Sequence, residues 1–161
     1  MRRFELLAPR TLEEACALLR RHEDAKVIAG GTALLILIKH GVYIPRVLVN
    51  LKKVKGASDL CYDPRRGLRI GALASIYEVE SAPVVRQHYP ILAEACHVVA
   101  NIRIRNLATI GGNLAHADYQ SDPPAVLLGL EASVELTADG RRRQVPLPEF
   151  LLGSYETTIE P

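Results

Sequence analysis

The first fifty residues alternate short apolar runs with a helical pattern, and that alternation restricts the fold more than any other feature of the chain. Phe4-Glu5-Leu6-Leu7 is a strand-like run closed by Pro9. Thr11-Leu12-Glu13-Glu14 follows as a capping box, with Thr11 as N-cap and Glu14 three residues on. Leu12, Ala15, Cys16, Leu18 and Leu19 recur at helical spacing, which predicts an amphipathic helix over residues 11–22. Lys26-Val27-Ile28-Ala29 reads as a buried strand, and Val47-Leu48-Val49-Asn50 as another. Between them Gly30-Gly31 makes a turn, and Thr32 is expected to cap a helix reaching Lys39-His40-Gly41. Strand, helix, strand, helix, strand with short connections is the pattern of a small parallel sheet.

After residues 52–56 the texture changes. Residues 59–63 and 68–71 predict an antiparallel hairpin around Pro64-Arg65-Arg66-Gly67. Ser75-Ile76-Tyr77-Glu78 is a second capping box, opening a short helix that stops before Pro83. Pro90 opens a helix to about Val99, and Asp122-Pro123-Pro124 opens another through Gly129, with Asp122 as the expected N-cap. Between them, residues 100–124 lack clear periodicity and read as a long ordered loop, a kind of segment that usually carries function. Val134-Glu135-Leu136-Thr137 and residues 142–145 form a hairpin about an Asp139-Gly140 turn. The expected fold class is therefore α+β: a small α/β lobe over residues 1–52 with a short parallel sheet, then an α+β lobe over residues 58–161 with antiparallel strands.

Charge and cysteine content exclude several functions. Twenty Lys and Arg against eighteen Asp and Glu leave a formal charge of +2, which argues against nucleic acid as a partner. Cys16, Cys61 and Cys96 are too scattered for zinc or iron–sulfur ligation, and are expected to be reduced, buried thiols. The longest apolar run, residues 33–38, is far shorter than the roughly 20 residues a membrane span needs. With no signal-peptide pattern at Met1-Arg2-Arg3-Phe4-Glu5, the expected location is cytoplasmic.

Two glycine pairs carry the chemistry: Ala29-Gly30-Gly31-Thr32 and Thr109-Ile110-Gly111-Gly112-Asn113. The first lies between a strand and a helix, where bare backbone can approach a ligand and helix N–H groups add positive partial charge. The second is flanked by Thr109 and Asn113, whose short polar side chains can reach phosphate or sugar oxygens. Neither matches a Rossmann or P-loop spacing. Two such bends suit a ligand with two phosphates, although each is also readable as a tight turn. Asp122 serves either as a helix cap or as an acceptor for ribose. His116 with Asp118 is a weak acid–base or metal pair, with no third ligand near in sequence. Arg103 and Arg105 would share one side of an extended segment, facing phosphates or surface carboxylates. His40 and His97 read as packing or surface residues, and no catalytic set of nucleophile and base emerges.

Ala29-Gly30-Gly31-Thr32, Ile70-Gly71-Ala72-Leu73-Ala74-Ser75 and, above all, the run from Ile102-Arg103-Ile104-Arg105-Asn106 through Thr109-Ile110-Gly111-Gly112-Asn113-Leu114 resemble the FAD-binding medium subunit of molybdenum hydroxylases, the carbon monoxide dehydrogenase and xanthine dehydrogenase family. The resemblance implies FAD extended between two lobes, with Val27, Ile28, Ala29, Gly30, Gly31, Thr32, Ala33 and Leu34 lining the dinucleotide. It places Ile70 and Ala72 against FAD from the second lobe, Thr109, Gly111, Gly112 and Asn113 over its phosphates, and Asp122 at the flavin. It further implies an electron-transfer module working with an iron–sulfur small subunit and a molybdopterin large subunit. The protein would tune the flavin while the cofactor carries the redox step. Relatives continue past the position of Pro161 with further strands and a helical lobe, which leaves three readings open: an engineered fragment, a split subunit whose C-terminal half a partner chain completes, or a degenerate remnant. Ala33 stands where many relatives have a polar residue. The alternative is a flavoprotein-like module that docks on the other subunits and binds FAD poorly.

Overall fold

The computed structural model describes residues 3–138 and 140–159. Strand β1 (Glu5–Leu7), helix α1 (Leu12–Arg21), strand β2 (Ala25–Ile28), helix α2 (Leu34–Lys39) and strand β3 (Val47–Asn50) make the first unit. The sheet order is β1-β3-β2 with both pairings parallel, Leu6 opposite Leu48 and Val27 opposite Val49. Because β3 is central, Val47, Leu48 and Val49 are buried. Strand β2 lies at the edge instead, and Val27 is 42% exposed, so the expectation of two buried strands holds only for β3. Helix α1 covers the sheet through Ala15, with Leu18 and Leu19 packed alongside Val47 and Val49.

The local signals at the helix ends are partly rewritten. Thr11 caps α1 by accepting from the Glu14 amide at 3.1 Å, but the Glu14 carboxylate reaches the amide of Arg10 at 2.7 Å rather than closing the box on Thr11. Thr32 does not cap α2. Gly31 turns the chain with φ +73°, Ala33 is already helical at the cap position, and no side chain caps this end. Asn50 caps the short 3-10 turn Leu51–Lys53.

In the second unit, β4 (Leu60–Asp63) and β5 (Gly67–Ile70) form the antiparallel hairpin, Leu60 opposite Ile70. The capping box of α3 (Ile76–Ser81) is complete, with Ser75 and Glu78 each bonding the other's amide. Helices α4 (Pro83–His88) and α5 (Pro90–His97) follow, α4 being absent from the sequence expectation. The long loop is overturned. It contains α6 (Ile102–Arg105), capped by Asn101, and α7 (Ile110–His116), capped by Thr109. Glycines at 111 and 112 mask a helix whose turns are set by packing rather than by propensity. Helix α8 (Asp122–Gly129) has Ser121 at its cap position and Asp122 as its first helical residue, so the expected Asp122 cap is displaced by one.

Strands β6 (Ser133–Ala138) and β7 (Arg141–Pro146) pair as expected, Val134 opposite Val145; Asp139 of the expected turn lies outside the described residues. Helix α9 (Leu147–Phe150) and the small hairpin of β8 (Leu151–Gly153) and β9 (Glu156–Thr157) complete the architecture, which is α+β. A larger core collects Ile76, Val79, Val85, Leu92, Cys96, Ile110, Leu127, Leu147 and Phe150. Each large apolar side chain buried there contributes about 1.5–3 kcal/mol. The three thiols are free, but only Cys96 is buried: Cys16 is half-buried and Cys61 exposed. Among the described residues no helix is long and apolar enough to cross a membrane.

Candidate functional site

Three chain segments meet: the turn at Gly30, residues 72–76 and residues 107–111. Residues 107–108 pass directly over Gly30: a Cβ built on Gly30 would press on the Leu107 carbonyl and lie 2.8 Å from the Ala108 Cα. Glycine is required there because backbone meets backbone. The same passing segment pairs on its other side with the chain entering α3. Ile76 donates to the Ala108 carbonyl at 2.8 Å and Ile110 to the Ala74 carbonyl at 2.9 Å, with Ser75 bridged to Thr109. Gly111 then packs on Ala72, where a Cβ would stand 2.6 Å from the Ala72 Cβ. Sequence positions 30, 72, 109 and 111 are thereby brought together.

The two glycine pairs differ in what their amides do. No acceptor among the described residues stands against the amides of residues 30–34, and all five residues are half-buried. The turn at Gly31 sets this run at the entrance of α2, where a helix leaves its first amides without intrahelical partners. Around Thr109 the opposite holds. Ile110 donates to Ala74, Gly111 to Ala72 at 2.9 Å, Gly112 to the Thr109 hydroxyl at 3.1 Å and Asn113 to the Thr109 carbonyl at 2.8 Å. What this side presents is side chains. Thr109 is buried at 6% exposure, and its hydroxyl, accepting from Gly112, keeps its own hydrogen to donate. The Asn113 carboxamide meets the Ser121 hydroxyl at 2.8 Å, which ties the middle of α7 to the cap of α8. Asp122, next to Ser121, is exposed and its carboxylate has no partner among the described residues. Ile70 is half-buried and packs on the larger core, while Ala72 is exposed.

Other expected pairs are dispersed. Arg103 and Arg105 lie on a helix and do not share a side: Arg103 is exposed, whereas the Arg105 guanidinium stands 2.8 Å from the Glu80 carboxylate and donates to the Val99 carbonyl at 3.1 Å. His116 stacks obliquely on Tyr155 with ring centres 5.1 Å apart, and Asp118 accepts from the Gln120 amide. Among the described residues no group of three His, Cys, Asp or Glu side chains is placed to hold a metal ion. Glu80 escaped the sequence reading. Its position in a short helix is unremarkable, and its partners lie 17 and 25 residues away, beyond any local pattern.

Residues 2–161 match the model of the FAD binding domain in molybdopterin dehydrogenase. The chain belongs to this family. It is 36% identical to the carbon monoxide dehydrogenase medium chain of Hydrogenophaga pseudoflava over 98% of its own length and 55% of that protein. Against the nicotinate dehydrogenase FAD-subunit of Eubacterium barkeri it is 37% identical, covering 95% of the chain and 52% of the relative. A solved Hydrogenophaga pseudoflava carbon monoxide dehydrogenase superposes with a TM-score of 0.93 over 99% of this chain and 55% of that one, at 36% identity. Quinoline 2-oxidoreductase from Pseudomonas putida 86 superposes at 0.94, again covering 99% and 55%, at 32% identity. The chain spans about half the length of the relatives it matches. FAD is the family's cofactor, and the fold is that of its flavin-binding subunits.

Proposed function

We propose that the chain is the diphosphate-holding part of an electron-transfer flavoprotein, partner to an iron–sulfur and a molybdopterin subunit. The observation that carries this reading is the run of five half-buried, unpartnered amides at residues 30–34, beginning at the Gly30 that lies against the backbone of Leu107 and Ala108. Consecutive N–H groups at a helix entrance bind anionic oxygens without any lysine. The residues present therefore fit a dinucleotide's diphosphate. Bound FAD would supply the redox interconversion that passes electrons from donor to acceptor.

The chain's own residues do the holding. Residues 30–34 donate to phosphate oxygens, with Val27, Ile28, Ala29, Ala33 and Leu34 forming the floor. Thr109 donates its remaining hydroxyl hydrogen from the opposite wall, and Gly112, exposed and without a side chain, lets the ligand lie close. Asn113 and Asp122, held side by side through Ser121, offer an amide and an acceptor for the ribityl or ribose hydroxyls. Ile70 and Ala72 bound the site from the β5–α3 connection. Gly111 acts differently from the sequence expectation: its bare Cα seats the wall on Ala72, and its amide is already bonded. In this reading residues 1–52 and 58–161 are the two lobes, each with its own core, and the cofactor lies across their junction.

Calorimetric titration of the folded chain with FAD and with ADP tests the proposal. Both are expected to bind, ADP more weakly, because the diphosphate is the shared recognition element. Absence of heat with either ligand would overturn it.

A further inference from the structure

Glu80 is the one buried charged side chain among the described residues, and Thr109 is the only other buried polar one. Both belong to the same construction. Helix α3 is capped by Ser75, whose backbone is bridged to Thr109, and its penultimate residue is Glu80. One Glu80 oxygen stands 2.8 Å from Arg105 Nε, the other 2.9 Å from His97 Nδ1. Its backbone carbonyl accepts from Arg86 at 3.0 Å. Arg105 in turn donates to the Val99 carbonyl, which ties the end of α6 back to the connection that leads into it. One short helix thus grips the segment 105–109 twice: by backbone at Thr109 and by ion pair at Arg105. Between the two grips lie Leu107 and Ala108, the residues that press on Gly30.

We infer that Glu80 and Arg105 are positioning residues for the dinucleotide site, acting through the Leu107–Ala108 backbone on the Gly30 turn. This inference rests on the diphosphate reading above. Cleaving a buried pair leaves a charge without its counter-ion, so the segment must move to hydrate it. Movement of the wall by a fraction of an ångström displaces Thr109 and the Gly30 turn together, because the contact is backbone on backbone. Neither residue touches the ligand in this arrangement, and nothing in their local sequence announces the role.

The test uses the full chain carrying Arg105→Gln, Glu80→Gln or Arg105→Lys. Two readouts are taken well below each variant's melting temperature, so that every sample is folded. The first is the Kd for FAD and ADP. The Gln variants are expected to bind on the order of tenfold more weakly, with Arg105→Lys recovering part of the loss because it keeps the charge. The second needs no ligand: hydrogen exchange at the Ile110 and Gly111 amides, which bond to Ala74 and Ala72, is expected to accelerate at least about tenfold in the Gln variants. Variants that melt earlier yet keep wild-type Kd and wild-type exchange at these two amides would overturn the positioning role and leave only a structural ion pair. If the wild-type chain binds neither FAD nor ADP, the diphosphate reading fails; unchanged exchange in the variants would separately refute the clamp.

Discussion

Gly30-Gly31 and Gly111-Gly112 look alike on paper, each a glycine pair at the entrance of a short helix, yet the structure uses them in opposite ways. At residues 30–34 the pair frees amides: Gly31 turns the chain, and five N–H groups are left without acceptors. At residues 109–113 the glycines permit close packing, and every amide from 110 to 113 already has an acceptor within the chain. A glycine pair therefore does not by itself mark a phosphate cradle. What distinguishes the two is the neighbour. The first pair has backbone on one side only, at Leu107, while Gly111 lies on Ala72 and draws its amide into that contact. The second motif is the wall, and the first is the grip.

The sharpest way to break this contrast is substitution at the two packing glycines. Gly30→Val and Gly111→Val both force a side chain into neighbouring backbone, and each is expected to cost about 3 kcal/mol or more in urea unfolding. If Gly111 instead faced the ligand, Gly111→Val would leave stability near wild type and abolish FAD binding alone. A smaller pair of changes separates the threonines. Thr109→Ala removes a helix cap and is expected to lose about 1–2 kcal/mol of stability. Thr32→Ala removes no bond and keeps the amide that holds phosphate, so it is expected to leave stability within about 0.5 kcal/mol and FAD affinity near wild type. Equal losses at both would erase the distinction.

Acid gives the mildest probe. The hydrogen bond from His97 holds the Glu80 carboxyl below its ordinary value of 4.5, with Arg105 adding to the effect and burial opposing it. A carboxylate whose pKa is lowered by folding contributes stability that is present above its unfolded pKa and lost as pH falls through the folded one. Stability is therefore expected to decline below about pH 4.5, with Glu80→Gln showing a shallower acid limb in unfolding curves from pH 6 to pH 3. An unchanged slope would remove Glu80 from the account.

Much of this was legible in the chain. Periodicity and capping signals located the parallel sheet, two of the three hairpins and most helices, because those features are local. The failures share a cause. Residues 100–124 read as loop since α6 is a single turn and α7 a short, glycine-bearing helix, and residues 108–111 are held by long-range backbone pairing with residues 72–76. Strand β2 read as buried because apolar content does not reveal which strand becomes the sheet edge. The positions of both glycine motifs were visible, but their roles were not, since an amide's partner is a property of the fold. Glu80 was invisible for the same reason.

Amide-resolved hydrogen exchange of the folded chain, with and without saturating FAD, tests the central claim most directly. The amides of residues 30–34, unpartnered without ligand, are expected to gain strong protection when FAD binds, while Ile110 and Gly111, already bonded to Ala74 and Ala72, change little. FAD binding that leaves residues 30–34 unprotected would contradict the account.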